Sequence, residues 1–152
     1  MSFKTFLSES DYSKRVTEIF QKAIRDELTA ASIYQKIAYM LSGPDSEEIR
    51  EKIQEHAKEE YQHFSEFIDY AAKHNFLNDL NIILDSESLN PVGNNYELVK
   101  FTQDLEVRAA KDYKYAMNYC FANHDNETYE FFKEKLADEV RHFDDDAYYL
   151  DQ

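Results

Sequence analysis

Apolar side chains recur at steps of three and four residues along four long stretches of the chain. Residues near 12–42 carry Val16, Phe20, Ala23, Ala30, Tyr34, Ile37 and Leu41, and residues near 46–74 carry Ile49, Ile53, Ala57, Phe64, Phe67 and Ala71. Residues near 95–123 carry Leu98, Leu105, Ala109, Tyr113, Ala116 and Cys120, and residues near 126–150 carry Phe132, Leu136, Phe143, Ala147 and Leu150. That spacing predicts four amphipathic helices, each of about 25–30 residues or roughly 40 Å. The glycines and prolines fall only at Gly43-Pro44 and Pro91-Val92-Gly93, and a third break reads Asn123-His124-Asp125-Asn126. Asp45, ahead of Glu47 and Glu48, and Asp125 are placed as helix caps. Tight turns therefore join the first pair of helices and the last pair. The middle connector, about residues 75–94, is long enough to run the length of a bundle. It carries Phe76, Leu77, Leu80, Ile82, Ile83 and Leu84, which a solvated linker would not need, so it is expected to lie against the bundle side. The fold class is all-α: one domain over 1–152, a four-helix bundle with a long crossover between helices two and three.

Composition narrows the chemistry. The single cysteine, Cys120, excludes a disulfide framework and any four-cysteine metal site within one chain. The formal charge of −14 does not suit nucleic acid, whose phosphates need a basic surface, but it suits cations. No apolar run approaches the ~20 residues that span a bilayer, and the start MSFKTFLSES lacks the apolar stretch of a secretion signal. The expectation is a soluble, cytoplasmic protein with no membrane or nucleic-acid partner.

Each apolar stripe is broken once by an acid. Glu27 falls in the series 20, 23, 27, 30, 34, and Glu60 in 53, 57, 60, 64, 67. Glu106 falls in 102, 106, 109, 113, and Glu139 in 132, 136, 139, 143. His63 and His142 follow Glu60 and Glu139 by three residues, on the same helix faces. Glu27 and Glu60 lie about fifteen residues either side of the first turn, and Glu106 and Glu139 bracket the last turn almost as evenly. Both pairs are 33 residues apart (60 − 27 and 139 − 106). Four inward carboxylates at one level need compensation, because an isolated buried charge costs many kcal/mol. Two divalent metals would balance four carboxylates, with two neutral imidazoles completing the shell. Oxygen ligands with imidazole suit iron or manganese, and zinc could also bind. Glu59 and Asp138 each precede a ligand glutamate and are expected to reach across to the other helix's histidine, Glu59 to His142 and Asp138 to His63. Tyr34 and Tyr113 lie two turns beyond Glu27 and Glu106, placed to hydrogen-bond near the metals or to donate an electron.

Other residues read as ordinary structure. His56, His74 and His124 lack an inward acid partner and are expected at the surface or at helix ends. Cys120 is expected in the core, and the remaining tyrosines and phenylalanines in packing. Asp144-Asp145-Asp146 reads as a wet helix face able to attract cations.

From about residue 12 to 150 the sequence resembles the ferritin-like superfamily of di-iron carboxylate proteins. The pieces that carry the resemblance are Glu27, Glu59-Glu60-Tyr61-Gln62-His63, Glu106 and Asp138-Glu139-Val140-Arg141-His142. The nearest pattern is bacterioferritin, with the order Glu, Glu-x-x-His, Glu, Glu-x-x-His. The resemblance implies that Glu60 and Glu139 bridge two irons, that Glu27 and His63 cap one, and that Glu106 and His142 cap the other. Tyr34 matches a tyrosine near the ferroxidase site of that family. Tyr61 stands where bacterioferritin has its haem-binding methionine, so no haem is expected. The chain ends ten residues after His142, without the fifth helix of storage cages, so a 24-subunit shell is not expected. Rubrerythrins are also similar, but their four-cysteine iron centre is missing, and Ala109 stands where they carry an extra ligand glutamate.

The function expected is that of a dinuclear-iron protein with ferroxidase or O2- or peroxide-reducing oxidase activity. Its partners would be iron, O2 or peroxide and an electron donor the sequence does not specify. A non-catalytic metal-holding bundle is the first alternative, and a di-iron monooxygenase acting on a small apolar substrate is the second. A homodimer is expected, burying the outer faces of two helices, because aromatic residues make up 15% of the chain.

Overall fold

The computed structural model of the protein describes residues 3–44 and 46–152, with side chains from residue 11 onward. It contains α1 (Phe3–Met40), α2 (Ser46–Lys73), α3 (Asn95–Ala122) and α4 (Asn126–Leu150), with 3₁₀ turns at Leu77–Asp79 and Glu87–Leu89 in the connector. Helix α1 begins nine residues ahead of its expected start, because nothing between Phe3 and Asp11 is a glycine or proline that would stop it. No helix among the described residues is long and apolar enough to cross a membrane.

Local chemistry fixes the helix ends. Arg50 of α2 donates to the carbonyls of Ala38 and Leu41, at 3.0 and 2.8 Å, and so satisfies the last turn of α1. Asp45, the expected cap of α2, lies outside the described residues. Asn94 caps α3: it accepts from the Glu97 amide at 3.0 Å, while Glu97 accepts from the Asn94 amide at 2.8 Å. Gly93, at φ +131°, precedes this box, and a Cβ there would collide with the Glu97 side chain. Asp125 caps α4 by accepting from the Thr128 amide at 3.0 Å.

Helix α1 pairs most extensively with α2, and α3 with α4. At one end of the bundle Leu41, Ile53 and Leu98 share a cluster with Ile33, Ile37 and Val99, so α3 starts where α1 ends. At the other end Phe20, Phe67 and Phe132 pack with Val16, Ile24 and Ala116. Phe20 is the hub there, with Phe67, Phe76 and Phe132 rings 5.3, 5.0 and 5.4 Å away. Cys120 is buried. Between the two apolar ends lies a layer of buried polar side chains.

The crossover runs along α1, but its apolar residues do not all do the holding. Phe76 and Leu80 pack on the aromatic end. Ile82, Ile83 and Leu84 are 55%, 52% and 44% exposed, which corrects the expectation that they lie against the bundle. Polar side chains of α1 grip the connector instead. Gln21 exchanges two 2.6 Å hydrogen bonds with the Asn81 backbone, and Thr29 accepts from the Asp85 amide at 3.0 Å. Eight helical residues rise about 12 Å and four extended residues about 13 Å, so the two attachment points match without help from the side chains between them.

Candidate metal centre

The polar layer gathers Glu27 from α1, Glu60 and His63 from α2, Glu106 from α3, and Glu139 and His142 from α4, each at most 3% exposed. Two groups of potential ligand atoms lie within 4.8 Å: Glu27, Glu60, His63 and Glu139 form one, and Glu60, Glu106, Glu139 and His142 form the other. Glu60 and Glu139 belong to both. His63 Nδ1 stands 3.6 Å from Glu27 and from Glu60, and 3.4 Å from Glu139. His142 Nδ1 stands 2.8 Å from Glu60 and 3.5 Å from Glu106.

The opposite nitrogens are held from behind. His63 Nε2 pairs with Asp138 at 3.0 Å, and His142 Nε2 with Glu59 at 2.7 Å. Arg141 also donates to Glu59. Burial pushes the Glu59 carboxyl up, but the hydrogen bonds from His142 and Arg141 outweigh it and hold the group at about 2. The tyrosines cross over: Tyr34 of α1 donates to Glu106 of α3, and Tyr113 of α3 donates to Glu27 of α1.

After these pairings a ring of atoms has no partner in hydrogen-bonding geometry among the described residues, the 2.8 Å approach of His142 Nδ1 to Glu60 being badly angled. It comprises Glu27 Oε2, Glu60 Oε1, Glu106 Oε2, Glu139 Oε1 and the Nδ1 atoms of His63 and His142. Each such buried polar group left unpaired costs about 1–3 kcal/mol. Burial and the neighbouring Glu27 push the Glu60 carboxyl up to about 8, and burial and Glu60 raise that of Glu139. Burial lowers the basicity of both imidazoles, but the facing carboxylates more than reverse this; His63 is raised, and His142 is pushed up to about 12. The interior is thus short of positive charge. Hard oxygens and imidazole nitrogens that converge without partners fit divalent metal ions.

A model of the ferritin-like domain matches residues 17–152. The chain belongs to the ferritin-like domain family. A comparison with curated proteins gives no match. Among solved structures, a ferritin-like, diiron-carboxylate protein from Bacillus anthracis superposes with a TM-score of 0.79 at 17% identity, covering 99% of both chains. Bacterioferritin from Rhodobacter capsulatus, described with a metal-free dinuclear site and haem iron, gives 0.72 at 24% identity, over 91% of this chain and 84% of that one. A variant of PmFTN soaked in iron gives 0.74 at 19% identity, over 90% and 86%. At these identities the likeness establishes the fold.

This ferritin-like chain is internally repeated, and the repeat breaks at buried positions beside the centre. An offset of 79 residues (106 − 27) carries Glu27 onto Glu106, Tyr34 onto Tyr113, Glu59 onto Asp138, Glu60 onto Glu139 and His63 onto His142. It also carries His56 onto Lys135 and Phe67 onto Asp146. All four of these are buried. His56 is therefore not at the surface, and Asp146 is not on a wet face; both expectations are corrected. His56 lies one turn before Glu60 and stacks on His142 with ring centroids 4.2 Å apart. The buried line of α4 runs through Thr128, Phe132, Lys135, Glu139, His142 and Asp146. Continuing the three-and-four step from Glu139 and His142 in both directions would have found Lys135 and Asp146. His74 sits just past the end of α2, stacked on Tyr70, and His124 lies in the last turn at φ +62°.

Proposed function

We propose that the protein is a di-iron oxidase in which Glu27, Glu60, His63, Glu106, Glu139 and His142 hold two iron ions. The observation that carries this reading is the ring of six unpaired inward atoms, four carboxylate oxygens and two imidazole nitrogens, in a protein of the ferritin-like family. Iron(II) bound there supplies electrons to O2 or peroxide, and is itself the substrate when the turnover is a ferroxidase one. Glu60 and Glu139, common to both groups, offer carboxylates to both ions, while Glu27 with His63 and Glu106 with His142 complete one side each. Asp138 and Glu59 accept the Nε2 protons and so leave the Nδ1 lone pairs facing inward. Tyr113 and Tyr34 occupy one oxygen each of Glu27 and Glu106, leaving the other oxygen for metal.

A cavity of ≈150 Å³ opens between α1 and α3 and reaches Glu27, Glu60 and Glu139 past Ala30 and Ala109. Pockets for organic ligands usually measure about 300–1,000 Å³. The space that reaches the carboxylates is smaller than that, which suits O2 or peroxide, while a second of ≈320 Å³ adjoins it at Ala109 and Tyr113 without touching those carboxylates. Stopped-flow absorbance after mixing iron(II)-loaded protein with O2 or peroxide tests the proposal. A transient and iron oxidation faster than in buffer are expected. Neither would appear if the site only stores metal; chelation would then lower the melting temperature without any oxidase activity being lost.

A further inference from the structure

The seam between α1 and α3 holds a second cavity, of ≈320 Å³, beside the one that reaches the centre. Two polar bridges between the helices cross this seam. Arg15 of α1 donates to the Tyr115 hydroxyl of α3 at 3.0 and 3.2 Å, and Lys22 of α1 pairs with Asp112 of α3. From Arg15 to Lys22 the helix rises about 10 Å. The cavity is lined between the bridges by Ile19, Ala23, Ala109 and the Tyr113 ring. Small side chains at Ala23 and Ala109 leave the seam unfilled, although protein interiors are otherwise close-packed. The Tyr113 hydroxyl donates to Glu27, so the same residue lines this slot and holds a carboxylate of the centre. We propose that the slot binds a neutral, hydroxylated aromatic molecule of one ring, that is, a phenol.

Volume sets the size of the occupant. An apolar cavity of about 150 Å³ accepts benzene, so ≈320 Å³ has room for one ring with substituents. Charge sets its polarity. Arg15 is paired with Glu18 at 2.9 Å, and Lys22 with Asp26 at 2.6 Å as well as with Asp112. Three carboxylates thus face two cations, and neither cation is free to receive an anion. A ring bearing a carboxylate would meet net negative charge, whereas a phenol O–H brings those carboxylates a donor. The repeat supplies a control. The offset of 79 carries Ile19, Lys22 and Ala23 onto Leu98, Phe101 and Thr102, and it carries Ile33 and Tyr34 onto Asp112 and Tyr113. Beside Tyr34, Ile33 and Leu98 are at most 1% exposed and share one cluster with Phe101 packed against it. Apolar bulk closes the seam there. Beside Tyr113 an aspartate and a lysine replace the isoleucine and phenylalanine, and the seam stays open.

Crystals of the full chain soaked in 4-bromophenol test the site, because bromine anomalous scattering locates the ring. Titration calorimetry measures its affinity in solution, with 4-bromobenzoate as the anionic comparison. One bromine peak is expected between α1 and α3 beside Tyr113. The phenol should bind saturably, and the benzoate at least about ten-fold more weakly. Asp112→Ile, which copies the residue beside Tyr34, should fill the slot, remove the peak and weaken phenol binding at least about ten-fold. Ile19→Phe should do the same from α1. No peak in the slot of the unaltered chain, a peak without saturable binding in solution, or equal affinity for the benzoate would overturn the proposal. So would an affinity unchanged in both variants. The measurements on the unaltered chain decide the matter even if a variant fails to fold. None of the six proposed metal ligands lines the slot, so an empty slot leaves the di-iron reading standing, and a centre without iron leaves the slot.

Discussion

His63 and His142 face the centre with the same atom, and each is held from behind by a carboxylate of the other helix pair, Asp138 at 3.0 Å and Glu59 at 2.7 Å. One helical turn outward the two sides part company. Beside His63 the chain places Lys135, paired with Glu66 and 5.3 Å from the Phe131 ring centroid, and the apolar Phe67. Beside His142 it places His56 and Asp146. One side is finished with a built-in cation and an aromatic wall, the other with more acid and imidazole. The repeat thus preserves what lies at the centre and differs around it. Burial lowers the pKa of the Lys135 ammonium, and it raises the Asp146 carboxyl to about 7. Each group meets the same desolvation, which moves the two pKa values in opposite directions and disfavours the charged form of both.

The largest test of the comparison removes what the sides share. Glu60→Ala or Glu139→Ala should abolish binding of both metals, whereas Glu27→Ala should mainly weaken the His63 side and Glu106→Ala the His142 side. Metal counts and anomalous maps read the difference. Next comes pH. In metal-free protein Glu60, Glu139, His63 and His142 all have raised pKa values. The native state therefore holds protons that the unfolded chain has released, and stability should fall as pH rises from about 5 to 8. Glu59, held at about 2, contributes no slope in that window, and the lowered pKa of His56 opposes the fall as pH rises toward the ordinary imidazole value. Thermal melts across this range should show the decline without metal and lose it with metal bound.

A smaller effect separates the supports behind the histidines. Glu59→Ala and Asp138→Ala should each weaken metal binding by about 10–100-fold. The Glu59 change should be the greater, because Glu59 also accepts a hydrogen bond from Arg141. Tyr34→Phe and Tyr113→Phe should each cost about 1–3 kcal/mol in the metal-free protein by unpairing a buried carboxylate oxygen, measured by denaturant unfolding. The smallest expected effect is that of Lys135→Met, which removes a competing ammonium and should tighten metal binding on the His63 side by a few-fold, with no change beside His142.

The bundle was legible because its stripes are long and its breakers few, and the level of the four acids followed from equal distances to tight turns. Glu27, Glu60, Glu106 and Glu139 stood out as charges on apolar stripes. His56 is hard to read because its acid, Glu60, follows it by four residues, whereas the motif that marks His63 and His142 puts the acid three residues before the histidine. Asp146 was hidden in a run of three aspartates, of which only the last falls on the buried line of α4. The connector is illegible for another reason. Its attachment depends on Gln21 and Thr29, polar residues on a distant helix, and no local pattern in 75–94 reveals that its backbone would be gripped.

Anomalous diffraction at the iron edge, from crystals grown with iron(II) under anaerobic conditions, tests the central claim most directly. Two iron peaks are expected between Glu60 and Glu139, one within bonding distance of His63 Nδ1 and the other of His142 Nδ1. A centre without iron at saturating concentration, with the four glutamates protonated or paired among themselves, would contradict it.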